Sequence, residues 1–597
     1  MPPKSGWYVC ALFVLFVPVL LAGCSTTPPP PITVAISPSP AFVGSAQTIQ
    51  LTATVTNDSS GVTWSVSGAS GATIDSSGNF TAPSVTQNAT ATVTATSKKN
   101  AAKSASATVN IVAPGTVAAT NNPQVALYTI NPPSDAKVSI QFGTTTAYGL
   151  TTWTQPTPAG GGPVSIYVAG MLANTAYHMS AVIQFSGGAA VTDADHTFTT
   201  SALPTAELPA VTASTTAGMT PQSGVELLQL NPVSSPDPVR VAITDLAGNL
   251  IWGYDPGSAV IGGPGPAKLL PNGHFLIGFG SQPDGEDSTI QEVDLGGNVV
   301  WSMTAAQLNQ ALANATCSGC NITVIGTHHD FAVLPNGHVV VIAAQEQTIS
   351  GLTGYTTPQT VDGDVLIDLD QNHNPVWLWN EFDHFDVNRH PEGLPDWTHT
   401  NAIVYSPDDG DLIVSSRHQS WVFKVDYHDG TGTGDVLWRL GYQGDFTLQG
   451  GTPPQDWQFG QHDANVISTN SSGVFQMTMF DNGFLRVMES NGDLCGTTGQ
   501  PACYSRVPIF QIDETGKTAT LQWVDNLSPI YSYWGGGSRQ LANGDIEFDE
   551  CTPTATTAAI YEVTKTTPPQ TVWHMQLTNA NAYRAHRIPS LYPGVQW

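Results

Sequence analysis

Apolar and polar residues alternate along most of the chain with a period of two, in short runs separated by Gly, Ser, Asn and Pro. That is the pattern of half-buried β-strands, since apolar positions on a helix recur every three or four residues. Over 32–113 the runs ITVAISPSPAFV, QTIQLTATV, VTWSVSG, ATATVTATSK and SASATVNIV predict a β-sandwich. A second set over 115–203, including AKVSIQFG and AYHMSAVIQF, predicts another. From 205 to 597 the pattern becomes a repeat in which a strand ends in Trp after a turn. It occurs at Trp252, Trp301, Trp377, Trp438, Trp523 and Trp573, about 64 residues apart on average. Hairpin turns LLPNGH, VLPNGH, SPDDGD and LANGD recur within it. A β repeat of this size predicts a six-bladed propeller, with each Trp packing a blade rather than serving as a ligand platform. The C-terminal YRAHRIPSLYP is expected to close the ring against strands near Gly224 and Leu230. The expected fold class is therefore all-β: a six-bladed β-propeller behind two β-sandwich modules.

Composition narrows the setting. Of 597 residues only 11% are charged, and Asp and Glu outnumber Lys and Arg by 46 to 18, a formal charge of -28. Binding to nucleic acid rests on basic residues neutralising phosphates, so that class is excluded. Low charge with abundant Gly and Pro fits a secreted β protein. The N-terminus reads MPPKSGWYVCALFVLFVPVLLAGC, a single Lys4 before an apolar run, which fits an export signal over 1–24 rather than a membrane span. Its Leu-Ala-Gly-Cys ending resembles the bacterial lipobox, which implies acylation of Cys24, a Pro-rich tether over 25–31 and a membrane anchor made of lipid. Ser25 after that Cys favours the periplasmic face of the outer membrane or the cell surface. Setting aside Cys10 and Cys24, an oxidising compartment favours structural bridges from Cys317/Cys320 and Cys495/Cys503, with Cys551 buried. A second Cys pair at zinc-ligand spacing is absent from the sequence, and no metal is expected.

The chemistry is concentrated in 205–597, which holds all nine Arg and 13 of the 15 His. In a propeller the innermost strands line a central channel, and three of them begin with His: THHDFAVLPNG, DWTHTNAIVYSPDDG and GQHDANVISTNSSG. His328 and His462 each lie eight residues before a turn Asn, and His399 nine before Asp408. The count places three imidazoles at one height. Strand alternation lets only one of His328 and His329 face the channel, and the count favours His328. Asn401, two after His399, is expected to share its face. In HTNAIVYSPDDGDLIVSSRHQS the hairpin returns Arg417 or His418 beside His399. A guanidinium among imidazoles and an amide is a cradle for a tetrahedral oxyanion. Trp397, Trp457, Tyr533 and Trp534 lie near the expected mouth, where they either sandwich aromatic rings or belong to blade core. The run Asp368, Asp370, Asn372, Asn374 suggests a calcium loop but occupies a repeat turn and lacks the later acidic ligand, so hairpin polarity is expected.

The stretch ATIDSSGNFTAP resembles bacterial Ig-like modules, and 115–203 resembles a fibronectin type III module. The segments HHDFAVLPNG, DWTHTNAIVY, DLIVSSRHQS, GQHDAN and AYRAHRIP resemble the bacterial aryl-sulfate sulfotransferases, over most of 205–597. The resemblance implies a ping-pong transfer of a sulfuryl group from a phenolic sulfate donor to a phenol acceptor, through a sulfohistidine and without the nucleotide sulfate donor. It implies no cofactor. His462 then stands as the nucleophile, with His328, His399, Asn401 and Arg417 as the sulfuryl-binding and proton-handling set. His329, His418 and Trp534 complete the expected substrate-binding residues. The extra module and the lipobox depart from the family layout and leave a homo-oligomer open. A metallohydrolase using the clustered His, a hydrolase of sulfate esters and a non-catalytic surface-binding propeller are the competing readings.

Overall fold

The computed structural model describes residues 30–597 apart from 204–207, 233–238, 258–259, 261–262, 282–284, 469–471 and 528–529. The export signal, Cys24 and most of the tether lie outside the described residues. The chain is all-β, as its alternation predicts. Two compact units contain it, one of residues 1–85 and 89–111, the other of 86–88 and 112–597. The first unit carries strands Ala41–Gly44, Ser104–Val112, Ala89–Ser97 and Val62–Gly68 in one antiparallel sheet. Its inward positions, among them Val93, Val109, Ile111, Leu51 and Phe80, form a closed apolar cluster. Among the described residues no helix is long and apolar enough to cross a membrane.

In the second unit, strands of 115–203 form a three-stranded and a six-stranded sheet. They pack on the C-terminal end of the chain: the Tyr592 hydroxyl donates to the Tyr167 carbonyl, and Trp597 Nε1 donates to the Thr151 carbonyl. The remainder is six sheets built on four-stranded antiparallel meanders. The second runs Gly263–Leu269 to Val299–Thr304, the third Gly326–Val333 to Pro375–Asn380, the fourth Thr400–Ser406 to Val436–Leu440 and the fifth His462–Ser468 to Thr518–Asn526. The first and sixth are composite. The C-terminal strand Ala580–Ile588 pairs with Val225–Pro232 to complete the first, as the C-terminal motif suggests, and Ala210–Thr215 adds to Thr571–Thr578 at the far side of the sixth.

The six repeat Trp all lie on the fourth strand of a meander, and each reaches the turn between the third and fourth strands of the next. Trp252 Nε1 donates to Leu295 O, Trp438 Nε1 to Glu514 Oε1, Trp523 Nε1 to Thr566 O and Trp573 Nε1 to Leu246 O. Trp301 stacks on His373 with ring centroids 3.7 Å apart, and Trp377 meets Tyr427 edge-on at 4.8 Å. The contacts run in order from sheet to sheet and return from the sixth to the first. A buried indole needs a partner for its N–H, so each Trp is both apolar filler and a fixed link. The second link between first and sixth sheets is ionic. Buried Arg587, on the last strand, reaches Glu226 at 2.7 Å and Glu562 at 3.0 Å, and its backbone N–H donates to Glu547.

Local chemistry explains the connections. Gly273, Gly337, Gly410 and Gly544 each hold a φ between 77° and 95° in their hairpin turns, a conformation in which a Cβ is strained. Asp370 accepts from the N–H groups of Asn372 and Asn374 at 2.8 Å, so the acidic run is a turn. Ala305–Asn314 departs from the strand pattern: it is a helix between second and third sheets, started by a capping box of Thr304 and Gln307, with Leu308 and Leu312 buried. Its single apolar stripe is short enough to be lost among strand patterns. Disulfides join Cys317 to Cys320 and Cys495 to Cys503, and Cys551 is free and buried.

Trp573→Ala removes a fully buried indole at the junction of sixth and first sheets, and is expected to lower stability by about 3–5 kcal/mol. Trp301→Ala, partly exposed, is expected to lower it by less than half as much. Denaturant midpoints measured for both decide the matter; equal losses would remove the sealing role assigned to the Trp573 junction.

Candidate active site

The first strands of the third, fourth and fifth sheets begin with a break in their pairing. The ladder is interrupted between Thr327 and Phe331, between Thr400 and Ala402, and between His462 and Asn465. His329, His399 and Asp463, at or beside these breaks, have φ of 56°, 49° and 50°. A bulge inserts unpaired residues and re-aims side chains, and non-glycine residues with positive φ cluster where structure around them holds the strain.

This changes the sequence-based assignment of the His pair. Alternation favours His328 as the channel-facing residue, but the left-handed turn at His329 breaks the alternation. His329 is the one that joins the cluster, with its ring 4.5 Å from His399 and 5.8 Å from Tyr583. His328 turns away, its Nε2 2.9 Å from Asp364 Oδ1, while its Nδ1 stands 2.6 Å from Nδ1 of His329. The left-handed positions at the three strand starts are His329, His399 and Asp463, and His462 precedes its own.

The hairpin expectation for the fourth sheet is met by both candidates. The Arg417 N–H donates to His399 O at 3.2 Å and the His418 N–H to Thr398 O at 3.0 Å. His418 stacks on His399 with centroids 4.5 Å apart. Arg417 is held by Glu392 Oε2 at 3.1 Å and by the Tyr533 carbonyl at 3.3 Å, lies 5.0 Å from the Phe484 ring centre, and keeps a buried Nε without a partner. His399 Nδ1 meets Asp396 Oδ2 at 2.5 Å. Asn401 is fully buried: its amide donates to Gln461 O at 2.7 Å, and its Oδ1 has no partner.

His462 is the most constrained imidazole. Asn482 spends its amide N–H groups on two carbonyls, Ser532 O at 2.7 Å and Gly535 O at 2.9 Å, so its Oδ1 is left to accept from His462 Nδ1 at 2.7 Å. On the other side the backbone N–H of Gly535 donates to His462 Nε2 at 3.2 Å. The proton therefore sits on Nδ1 and the lone pair on Nε2. Gly535 has φ 64° and a Cβ there would meet Cys551 Sγ at 2.6 Å, so only glycine can present this N–H.

Below the cluster, fully buried Arg584 pairs with Asp330 at 3.2 Å, approaches Asp463 at 3.6 Å and donates to the Asn401 carbonyl. Tyr583 beside it lies with its ring 6.1 Å from His462, and its buried hydroxyl has no partner. Arg584, Lys268, Arg539, Asp330, Asp463 and His586 line a cavity of about 720 Å³. Asn482, Arg584, Tyr583, Asp364, Asp396 and Glu392 are absent from the sequence-based set. The terminal AYRAHRIP holds two of them, and its Arg among apolar residues is the one signal that singles it out.

Electrostatics follows from burial. Desolvation, then Arg417, holds His462 well below the usual histidine range; desolvation and the neighbouring His399 and His328 do the same to His329, and desolvation and Arg417 to His399. His418 falls to about 3, again by burial first. All are neutral near pH 7. Burial would raise Asp463, but Arg584 and His586 outweigh it and hold it ionised. Burial raises Asp396 to about 6.

The expected aromatic platform divides. Trp397 is fully buried with Leu352 and Val361, and Trp457 belongs to the core between fourth and fifth sheets. Tyr533 is exposed and Trp534 partly so, but their segment reaches the site through backbone: the Tyr533 carbonyl on Arg417 and the Gly535 N–H on His462. As for metals, Asp396, His399 and His418 offer ligand atoms within 4.8 Å of one another and could hold a cation, against the charge of Arg417 beside them.

The sequence profile of the arylsulfotransferase (ASST) family matches residues 213–584, more than half of the chain and all of the residues just described except His586. The chain belongs to the arylsulfotransferase family. No curated protein sequence matches this arylsulfotransferase. Among solved structures, a quinoprotein alcohol dehydrogenase-like protein from Bacteroides thetaiotaomicron is 8% identical over 92% of this chain and 96% of its own, with a TM-score of 0.28. A dihydro-heme d1 dehydrogenase is 12% identical over 63% and 80%, with a TM-score of 0.27, and a puromycin hydrolase 13% over 75% and 58%, at 0.23. Likenesses this slight carry no argument. The family assignment supports sulfotransferase activity in general, with phenolic substrates.

Burial raises Glu392 from 4.5 to about 7 even though Arg417 opposes it. The folded protein then binds this proton more tightly than the unfolded chain, so its stabilising contribution is present below pH 4.5 and lost as pH rises through 7. Glu392→Gln cannot ionise. Its stability relative to the unaltered protein is expected to improve from pH 5 to pH 8, by on the order of 3 kcal/mol at most. Thermal unfolding across that range tests it, and a constant offset would sink the assignment.

Proposed function

We propose that this arylsulfotransferase moves a sulfuryl group from a phenolic sulfate ester to an acceptor phenol by a ping-pong route through a sulfohistidine on His462, with no nucleotide sulfate donor. The observation that carries the reading is the tautomer of His462: Nε2 unprotonated and accepting from the Gly535 N–H, Nδ1 tied to Asn482. A neutral imidazole is a competent nucleophile near neutral pH, and a covalent intermediate divides one difficult transfer into two easier ones. Nε2 attacks sulfur and the aryl oxygen departs. The Gly535 N–H, displaced from the lone pair as the N–S bond forms, becomes available to a sulfuryl oxygen. Arg417, with its unpartnered Nε, takes the remaining negative charge; donors fixed in advance at such a position are worth roughly 3–4 kcal/mol each. An imidazole across the cluster, His329 or His399, takes the proton of the acceptor phenol and, as the imidazolium so formed, returns it to the aryl oxygen that departs in the next donor half.

The six sheets are read here as the blades of a closed propeller whose channel opens at this site, behind an Ig-like module over 32–113 and a fibronectin type III-like module over 115–203. The leader over 1–24 and Cys24 support export as a lipoprotein, anchored to a membrane by acyl chains and carrying the site into the periplasm or to the cell surface.

Incubated with an aryl sulfate, the purified protein is expected to gain a sulfuryl adduct on His462, seen by intact mass and peptide mapping and discharged by phenol. His462→Ala is expected to lose the adduct and to lower transfer by roughly a thousandfold or more. Normal transfer by that variant would remove His462 as nucleophile.

A further inference from the structure

The cluster contains more imidazole than a nucleophile and one acid–base group require, and His328 and Asp364 touch none of the space in which the sulfuryl group would sit. We propose that Asp364 and His328 are positioning residues that, acting through His329, take up and return the phenolic proton. The proposal rests on the transfer reading above, and it makes His329 the group that meets the phenol oxygen.

The hydrogen-bond pattern admits a consistent set of protons. Asp364 Oδ2 accepts from Thr398 Oγ1 at 2.7 Å and from the Thr400 N–H at 2.5 Å, and its Oδ1 stands 2.9 Å from His328 Nε2. A carboxylate receiving two fixed donors stays ionised and requires a proton on the nitrogen facing it. His328 therefore carries its proton on Nε2 and presents a lone pair at Nδ1. Two imidazole nitrogens 2.6 Å apart need one proton between them, so the donor is His329 Nδ1. What remains bare is His329 Nε2, on the ring edge away from His328. The neighbouring carboxyls do not compete for the charge: burial raises Glu381, which accepts from the Thr400 hydroxyl, well above its ordinary value, and raises Asp362 to about 6. Asp364 instead falls below its ordinary value, since His328 and the two threonines outweigh its burial.

The location gives the relay its purpose. His329 is fully enclosed near Tyr583 and Arg584, and burial first, then the guanidinium, disfavours an imidazolium fixed there. Moving the positive charge one ring further places it against Asp364. His399 has a weaker outlet: its carboxyl partner Asp396 is raised to about 6, and it stacks on His418 beside Arg417. In the acceptor half the phenol proton passes to His329 Nε2 and the His329 Nδ1 proton passes to His328 Nδ1. The phenol oxygen forms its bond to sulfur as the S–N bond breaks, and that electron pair returns to His462 Nε2. The donor half starts from the state that the acceptor half leaves, with His328 protonated on both nitrogens against Asp364 and His329 protonated on Nε2, and the same protons run backwards to the departing aryl oxygen. One proton is consumed and one regained per cycle, so no further reactant is required.

Half-reactions of the full chain separate this role from a structural one. With p-nitrophenyl sulfate as donor the leaving group is acidic and needs little proton assistance, so the burst of nitrophenolate in Asp364→Asn and His328→Gln is expected to stay within about threefold of the unaltered protein. Discharge of the sulfuryl-enzyme to weakly acidic phenols is expected to slow by about a hundredfold, with the loss shrinking as the acceptor becomes more acidic. In the unaltered protein the discharge rate is expected to depend only weakly on acceptor acidity. Equal loss in both half-reactions, equal loss for all phenols, or a steep acidity dependence in the unaltered protein would each overturn the relay. If Asp364→Asn does not fold, His328→Gln and the unaltered protein decide it alone. An unaltered protein that forms no adduct overturns the transfer reading itself, an outcome distinct from the others.

Discussion

Four imidazoles share a buried space with two guanidiniums, and they can do so only by staying neutral. Taking an imidazolium out of water and placing it beside Arg417 or Arg584 is unfavourable on both counts, and burial is the larger. The two arginines are not equivalent. Arg584 is matched by Asp330 and by Asp463, which stays ionised, so its charge is spent within the protein. Arg417 faces Glu392, whose buried carboxyl is raised to about 7, so its charge is only partly matched near neutral pH. In a chain with a net charge of -28, that residual positive charge is where a sulfate ester would be held.

Precision in such a site comes from the sheets beneath it. Three first strands carry a left-handed residue at their start, each between ordered ladder pairs or a tight contact to the next sheet. Isolated, each would relax. Here the six tryptophans tie every outer strand to a turn of the following sheet, and Arg587 ties the last strand to carboxylates of two sheets, so the strain is held by a framework that cannot yield locally. The same framework explains why Gly535 and Tyr533 act through backbone. Their segment precedes the first strand of the sixth sheet and is fixed by Asn482 and Ser505 rather than by its own side chains.

The alternation of strands, the Trp repeat, the hairpin turns and the return of the C-terminal strand were legible in the sequence because each is a local pattern with one structural solution. The pairing of Arg417 and His418 with His399 was legible too, since hairpin register is arithmetic. His328 and His329 were not. Alternation holds only in an unbroken ladder, and nothing in THHD announces the left-handed residue that breaks it. Asn482, Asp364 and Glu392 were hidden for a different reason: each lies on another strand or loop from the imidazole it serves, and a single amide or carboxyl in an ordinary β sequence carries no mark of its partner. The helix Ala305–Asn314 was hidden among strands because it shows only two buried leucines.

A ping-pong transfer between phenols is chemically symmetrical, and its site must serve the forward and reverse senses of the same step. A single ionised catalytic pair would favour one sense, being right for deprotonating an acceptor and wrong for protonating a leaving group. The cluster has instead two imidazoles in contact, with one carboxylate held ionised behind them by Thr398 and Thr400 and another carboxyl, Glu381, kept from competing by its burial. Such a pair stores a proton at little expense in charge separation and can release it through the nitrogen by which it entered. On the transfer reading proposed above, the buried carboxylate thus matters less as a base than as a fixed counter-charge, separated by two imidazoles from the phenol oxygen.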